Sequence, residues 1–345
     1  MSEAAALEIR QPGLLATVQD LGRFGYQDLG MPVAGALDPL ALRVANALVG
    51  NGQGEAALEM GLTGPEFRVA AESCRVAFCG PVRPTLAGEP PRQLEPWRSY
   101  RLVRDQVVRV GAVTGASVAY LAVEGGFAVP PFMGSRSTYL RAGLGGFEGR
   151  ALRAGDRLPL RREAAGEGRK ELAVAGPPDY GSGPVRVVPG PQDDHFTGAA
   201  VETFLSSEYV VSKDADRMGL RLEGPKLEHR DGWDIVSDGI VTGSVQVPGS
   251  GLPIVLLVDH QTAGGYTKIA TVISADLPRV GRMLPGQRLA FRAVAVEEAE
   301  ALRREQELAV ERLIRAMAPA GAAAPDSRAL ASENLISGVV DALET

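Results

Sequence analysis

Two cysteines, three histidines and an aromatic content of 5% in 345 residues leave little material for a disulfide framework or a metal cage. Cys74 and Cys79 share the run SCRVAFC, which reads as one strand, so an odd spacing along the pleat points them to opposite faces and argues against a disulfide between them. His195, His229 and His260 lie far apart, without the HxxxH or CxxC spacing that a structural zinc site uses. No apolar run approaches the roughly 20 residues that span a bilayer. The start, MSEAAALEIRQPG, carries no apolar core of signal-peptide length, so the expected location is the cytoplasm, away from any membrane. An excess of positive charge is missing as well. A formal net charge of −6 argues against a nucleic-acid partner, whose phosphates call for the opposite sign, and leaves a small molecule as the expected ligand.

Glycine and proline are plentiful, at 42 and 24 residues. They punctuate short runs such as RVAFCG, QVVRVG, SVAYLAV, VRVVPG and IVLLVD, the pattern of many short strands joined by tight turns. Helical signals are fewer. DPLALRVANALVGN offers Asp38 as N-cap and Pro39 in the first turn, a short helix is expected over 197–206, and a long charged amphipathic helix starts near Val296. The fold class is therefore mainly β with minor α. A polar, Gly/Pro-punctuated stretch at 161–183 suits a linker, which divides the chain into a β domain at 1–165, a linker at 166–183, a β domain at 184–295, and a helix with a terminal tail at 296–345. Residues 329–343 form an apolar stripe if helical, and are expected to dock on a partner or a second copy.

The two halves also echo one another. LAVEGGF followed by AGDRLPL in the first half is matched by LLVDHQTAGGY followed by PGQRLAF in the second, in the same order. An ordered recurrence of this kind favours two related β units over one large sheet.

Three stretches concentrate chemistry. The N-terminal run PGLLATVQDLGRFGYQDLG sets Gln19, Asp20 and Arg23 among glycines, a loop able to offer amide, carboxylate and guanidinium groups to a polar ligand or, more simply, to lock itself. FMGSRSTYLRAGLGGFEGR brings Ser137 and Thr138 beside arginines, suited to a carboxylate or phosphate, but lacks the Gly-Lys-Ser/Thr ending of a self-sufficient nucleotide loop. The densest cluster is ADRMGLRLEGP with SDGIVTGSVQVPGSGLPIVLLVDHQTAGGY, where Gln246, Asp259, Gln261 and Thr262 are expected at one cleft that orients a lactam or urea-like N–H. No G-x-S-x-G elbow is present.

Taken in series, VQDLGRFGYQ, AYLAVEGGF, GSRSTYLRAGLGGFEGRALRAGDRL, GPQDDHF, DRMGLRLEGP and PIVLLVDHQTAGGY resemble the allophanate-hydrolase-subunit-2 group, also called the Kip-antagonist-like or biotin-dependent carboxyltransferase family. That family includes the C-type subunit of ATP-dependent 5-oxoprolinase and part of urea carboxylase. The resemblance implies tandem cyclophilin-like β-barrels and a role within a hydrolase complex that opens 5-oxo-L-proline to L-glutamate. It also implies partners, namely a second cyclophilin-like subunit of the B type and a subunit of the A type. ATP would be used by the complex and not bound by this chain alone. Within that picture Asp259, Gln261 and Gln246 take the catalytic roles, and Gln19, Asp20, Arg23, Ser137, Thr138, Thr262, Gly264 and Gly265 contact substrate. The resemblance leaves two alternatives, a carboxyltransferase component served by biotin on a partner, and a regulatory binding protein without chemistry of its own.

Overall fold

The structure is a computed structural model that describes residues 4–320. It is mainly β with a minority of helix, as the glycine and proline punctuation predicts. Two antiparallel sheets make up most of the first half. One is ordered Arg157–Pro159, Ala6–Gln11, Thr63–Ala70, Val107–Ala112, Thr85–Leu86, Arg92–Gln93, and the other begins Leu15–Gln19, Ala57–Gly61, Val118–Val123, Ser73–Cys79, Arg98–Val103. In the second half, Val185–Pro189 pairs in parallel with Arg288–Ala293 at one end of the sheet and antiparallel with Ala263–Val272 near the other, which closes the sheet on itself. Among the described residues no sheet contains strands from both 5–160 and 184–293.

Helix α1, Pro39–Leu48, starts as the sequence predicts, with the Asp38 carboxylate accepting from Ala41 N–H at 3.1 Å and Pro39 in the first turn. Helix α2, Gly198–Ser206, is capped by Thr197, whose hydroxyl accepts from Ala200 N–H at 3.1 Å. A third helix, α3, Leu277–Gly281, is one short turn with no periodic signal long enough to read. Helix α4, Val296–Arg315, spans the long charged segment. It lies across both halves, with Glu307 paired to Arg43 of α1 at 2.8 Å and Gln306 donating to the Ala275 carbonyl at 2.6 Å. Beyond it, Ala318–Pro319 pairs with Leu172–Ala173, which in turn joins the strand Arg98–Val103. The polar stretch at 161–183 is thus strapped to the first half instead of hanging free. Residues 329–343 lie outside the described residues.

Period-2 alternation decides what each face of the central strands does. In Val118–Val123, Ala119, Leu121 and Val123 fill the core between the two sheets of the first half, while Val118, Tyr120 and Ala122 point the other way. Ser73–Cys79 behaves likewise, Cys74 facing one core and Cys79 the other, both as free thiols. The second face does not meet solvent. It packs on α1 and merges with Val187, Phe204, Tyr209, Val255 and Phe291 of the second half into one continuous apolar cluster. Strands buried on both faces carry near-continuous apolar runs, and a polar side chain in such a run needs a partner.

The recurring sequence elements keep the same form at one place and not at the other. Gly155 and Gly286, which open the two Gly-polar-Arg-Leu turns, both adopt left-handed φ, 89° and 84°, and each leads into a strand. Gly125 and Gly126 make a genuine turn with φ of 83° and 79°, but Gly264 and Gly265 lie inside the extended strand Ala263–Val272. The second Gly-Gly pair is instead a stretch where a neighbour approaches closely, since a Cβ on Gly264 would stand 2.8 Å from Ile240 Cδ1.

Candidate functional site

Glu59 is the charged residue in the strand ALEMG, and the pleat turns it to the face shared by the two halves. Pairing registers set Thr17, Glu59, Tyr120 and Cys79 side by side across four adjacent strands. This row needs a counter-charge, because Glu59 is buried with only 3% of its surface exposed. The second half supplies it. Asp216 holds the turn before strand Gly219–Glu223 by accepting from Met218 and Gly219 N–H, and Arg217 projects from that turn. Its guanidinium pairs with Glu59 and forms a forked pair with Asp259 at 2.9 and 3.1 Å, and donates to the Gly35 carbonyl at 2.6 Å. The backbone locks the same seam, with Ala34 N–H of the first half donating to Val258 C=O of the second at 2.8 Å, while Asp259 N–H donates to Arg217 C=O at 3.0 Å to hold that pair together.

A hydrogen-bonded chain runs outward from Glu59. Tyr120 donates to the Glu59 carboxylate at 2.5 Å, Asp38 N–H donates to the Tyr120 hydroxyl at 2.9 Å, and Tyr180 donates to the Asp38 carboxylate at 2.6 Å. Burial works against charge on Arg217, but Glu59 and Asp259 more than reverse it and hold its pKa above the ordinary guanidinium range. Burial also raises Tyr120 well above the usual phenol range, with Glu59 and Asp38 adding to it. Asp38 is pushed up to about 6 by burial, against the opposing pull of Tyr180 and Arg282.

A cavity of about 400 Å³ opens on this seam, with Thr17, Glu59, Arg217 and Asp259 on one wall, Arg141 and Lys213 at its side, and Leu37, Val118, Leu257 and Met283 closing it. A few hundred cubic ångströms with apolar walls and a small convergent polar set is the ordinary form of a small-molecule site. A guanidinium flanked by two carboxylates can hydrogen-bond a carbonyl oxygen while a carboxylate accepts from an adjacent amide N–H.

Asp259 therefore lines the cavity, while Gln246 and Gln261 sit elsewhere. They meet each other, Gln261 Nε2 lying 3.5 Å from Gln246 Oε1, beside the bare backbone of Gly264. Gln246 is buried and its Nε2 has no partner among the described residues. Gly265 lies next along the strand, against the Ile235 carbonyl, and Thr262 is half-buried with its carbonyl accepting from Ile240 N–H at 3.0 Å. Adjacent residues leave the 257–262 turn in different directions, so the four polar groups do not line one wall.

The remaining expected residues form a separate knot. Asp20 accepts from Ser135 at 2.7 Å, Ser137 at 2.6 Å, Arg136 N–H at 2.6 Å and Gly22 N–H at 2.9 Å. Gln19 donates to Thr17 and to the Thr138 carbonyl, and Arg23 donates to the Phe132 and Ser137 carbonyls at 3.1 and 3.0 Å. The Thr138 hydroxyl donates to the Val18 carbonyl at 2.9 Å. Gly145 and Gly146 must lack side chains, since a Cβ there would meet the Ser137 carbonyl and the Thr138 hydroxyl. Burial lowers the Arg23 pKa, while Asp20 and Asp259 pull it up, which places Arg23 within electrostatic reach of the seam. The sequence alone does not mark Glu59, Tyr120 and Arg217 as site residues. The available signal was a charge, and a phenol, inside runs otherwise buried on both faces.

Comparison with known proteins agrees with this architecture. The family model described as carboxyltransferase domain, subdomain A and B, matches residues 29–293. The chain is 36% identical to the C-type subunit of 5-oxoprolinase from Haemophilus influenzae, covering 87% of this chain and 95% of the relative, and 36% identical to its counterpart from Escherichia coli, covering 89% and 97%. It superposes on the crystal structure of the K. lactis urea amidolyase with a TM-score of 0.83 at 28% identity, over 90% of this chain but only 20% of that much longer one. The chain accordingly belongs to the carboxyltransferase subdomain A and B family.

Proposed function

We propose that this chain is the C-type subunit of a multisubunit, ATP-dependent 5-oxoprolinase and contributes the Arg217 cavity to its reaction site. The observation that carries the reading is the match, along nearly their whole length, to two relatives named as that subunit of 5-oxoprolinase. The cavity suits such a substrate. A cyclic amide offers one carbonyl oxygen to Arg217 and one N–H to Asp259, and Lys213 or Arg141 stands at the side for its carboxylate. ATP, bound elsewhere in the complex, would supply the phosphoryl group that activates the lactam carbonyl, with ADP and phosphate leaving as water opens the ring. Asp259 receives and returns the proton at the ring nitrogen, and Arg217 holds the carbonyl oxygen. Gln246 and Gln261 contact the substrate or a partner surface from the neighbouring strand ends, Thr262, Gly264 and Gly265 shape that edge, and the Gln19, Asp20, Arg23, Ser137 and Thr138 knot sets the loop beneath.

The chain works in the cytoplasm with a second cyclophilin-like subunit of the B type and a subunit of the A type, and is inactive alone. Co-expression of the three, followed by assay of 5-oxoproline-dependent ATP cleavage and glutamate release, tests this directly. Activity from the complex and none from the isolated chain is the expected result; no glutamate from the complex overturns it. The likeness to the K. lactis urea amidolyase supports a second reading, a carboxyltransferase component acting on a urea-like N–H with biotin carried by a partner. This chain has no Met-Lys-Met sequence to carry biotin itself. Co-purification with a biotinylated protein would favour that reading, and a complex with no turnover of either substrate would leave a regulatory binding role.

A further inference from the structure

Beside the seam a second cavity, of about 410 Å³, is lined by Arg279, Arg282, Arg288, Gln287, Tyr180 and Met283, with no carboxylate on its wall. It adjoins the Arg217 cavity, which Met283 also lines. Ser117 forms part of the partition, its N–H donating to the Arg282 carbonyl at 2.9 Å and its hydroxyl to the Gly281 carbonyl at 3.1 Å. Three guanidinium groups around one opening is an unusual grouping in a chain whose net charge is −6. We propose that this cavity binds a small phosphate-bearing anion.

Each arginine is committed to a different degree. Arg282 stacks on the Tyr180 ring, with its guanidinium carbon 3.8 Å from the ring centre, and its Nε is 3.9 Å from the Asp38 carboxylate. Tyr180 is itself fixed by its hydrogen bond to Asp38, so Arg282 is preorganised. Arg288 pairs with Glu208 at 3.1 Å, but both side chains are well exposed and an exposed pair holds its members only weakly. Arg279 has no carboxylate partner among the described residues. One fixed, one loosely held and one unpaired guanidinium can together surround an anion with more than two acceptor oxygens. A phosphate offers three outward oxygens and a charge near −2, whereas a carboxylate offers two oxygens and a single charge. The Gln287 amide adds a neutral donor at the rim.

The test uses the full chain and three probes, inorganic phosphate, inorganic pyrophosphate and glutarate, titrated calorimetrically at constant ionic strength. Pyrophosphate is expected to bind best and to raise the melting temperature, with phosphate next and glutarate at least about tenfold weaker. Arg279→Glu should weaken pyrophosphate at least about tenfold, and Arg288→Glu by a smaller factor, with the melting temperature of the unliganded protein unchanged. Should Arg279→Glu fail to fold, Arg279→Gln and Arg288→Glu carry the same comparison. No pyrophosphate binding by the wild type, equal binding of glutarate, or unchanged affinity in every folded arginine variant would overturn the proposal.

Discussion

Asp20 and Asp259 are both buried carboxylates set in glycine-rich loops, and the protein uses them in opposite ways. Asp20 accepts four hydrogen bonds from hydroxyls and backbone N–H groups that all belong to its own half. Its oxygens are satisfied by neighbours within that half, so its charge serves to shape the loop. Asp259 is held by a single residue, Arg217, which it shares with Glu59 of the other half at the wall of a cavity. A carboxylate secured by many neutral donors is a fastening, whereas one balanced against a shared guanidinium keeps a face for a ligand. Removing partners should separate the two.

The largest effect is expected at Arg217. Arg217→Met leaves Glu59 and Asp259 buried without their common cation, a loss of about 3–5 kcal/mol by the usual cost of breaking a buried pair. Urea unfolding measures this, and a loss under about 1 kcal/mol would mean that the seam is not what joins the halves. Asp20→Asn should cost about 1–3 kcal/mol, since an amide turns one acceptor into a donor facing N–H and O–H groups. The assembled complex should keep its turnover rate at a temperature where the variant is folded, so a collapse of kcat there would give Asp20 a part in chemistry.

A pH effect is expected at Asp38, on the hydrogen-bonded chain that runs outward from Glu59 through Tyr120. Its carboxyl is raised to about 6 from an ordinary value of 3.8, so the folded state holds the proton more tightly than the unfolded chain. The resulting stabilisation is fully present below the unfolded pKa and is lost as pH rises through about 6. Asp38→Asn removes this titration, and its stability relative to wild type should change between about pH 4 and 6, by at most about 3 kcal/mol, and be flat above that window. Parallel wild-type and variant curves across the window would show that Asp38 does not titrate there.

Much of this architecture was legible in the chain itself. Asp38 followed by Pro39 marks a helix start because both act locally, through a cap and a preset φ. The charged helix at 296–315 and the many short strands are likewise periodic signals. The turns at Gly155 and Gly286 recur because one left-handed residue suffices to specify them. What could not be read was long-range. Gly264-Gly265 looks like Gly125-Gly126 in sequence, but its strand is drawn straight by pairing with Asp234–Gly239. Glu59, Tyr120 and Arg217 come together only when two halves stack, and nothing in their local sequence names the partner. Asp259 was visible as a polar end to IVLLV, but its separation from Gln246 and Gln261 depends on the turn at 257–262.

The Arg217 cavity, and not the Asp20 knot, is proposed as the place where this chain contributes chemistry. Steady-state turnover of 5-oxoproline by the assembled three-part enzyme carrying Asp259→Asn, with assembly checked by light scattering, decides between the two. The variant keeps the side-chain shape and a carbonyl oxygen for Arg217 but cannot take up the ring-nitrogen proton. A fall in kcat of at least about a hundredfold, the lower end of a general acid–base contribution, with assembly intact is the predicted result. Wild-type kcat from a fully assembled Asp259→Asn complex would contradict it.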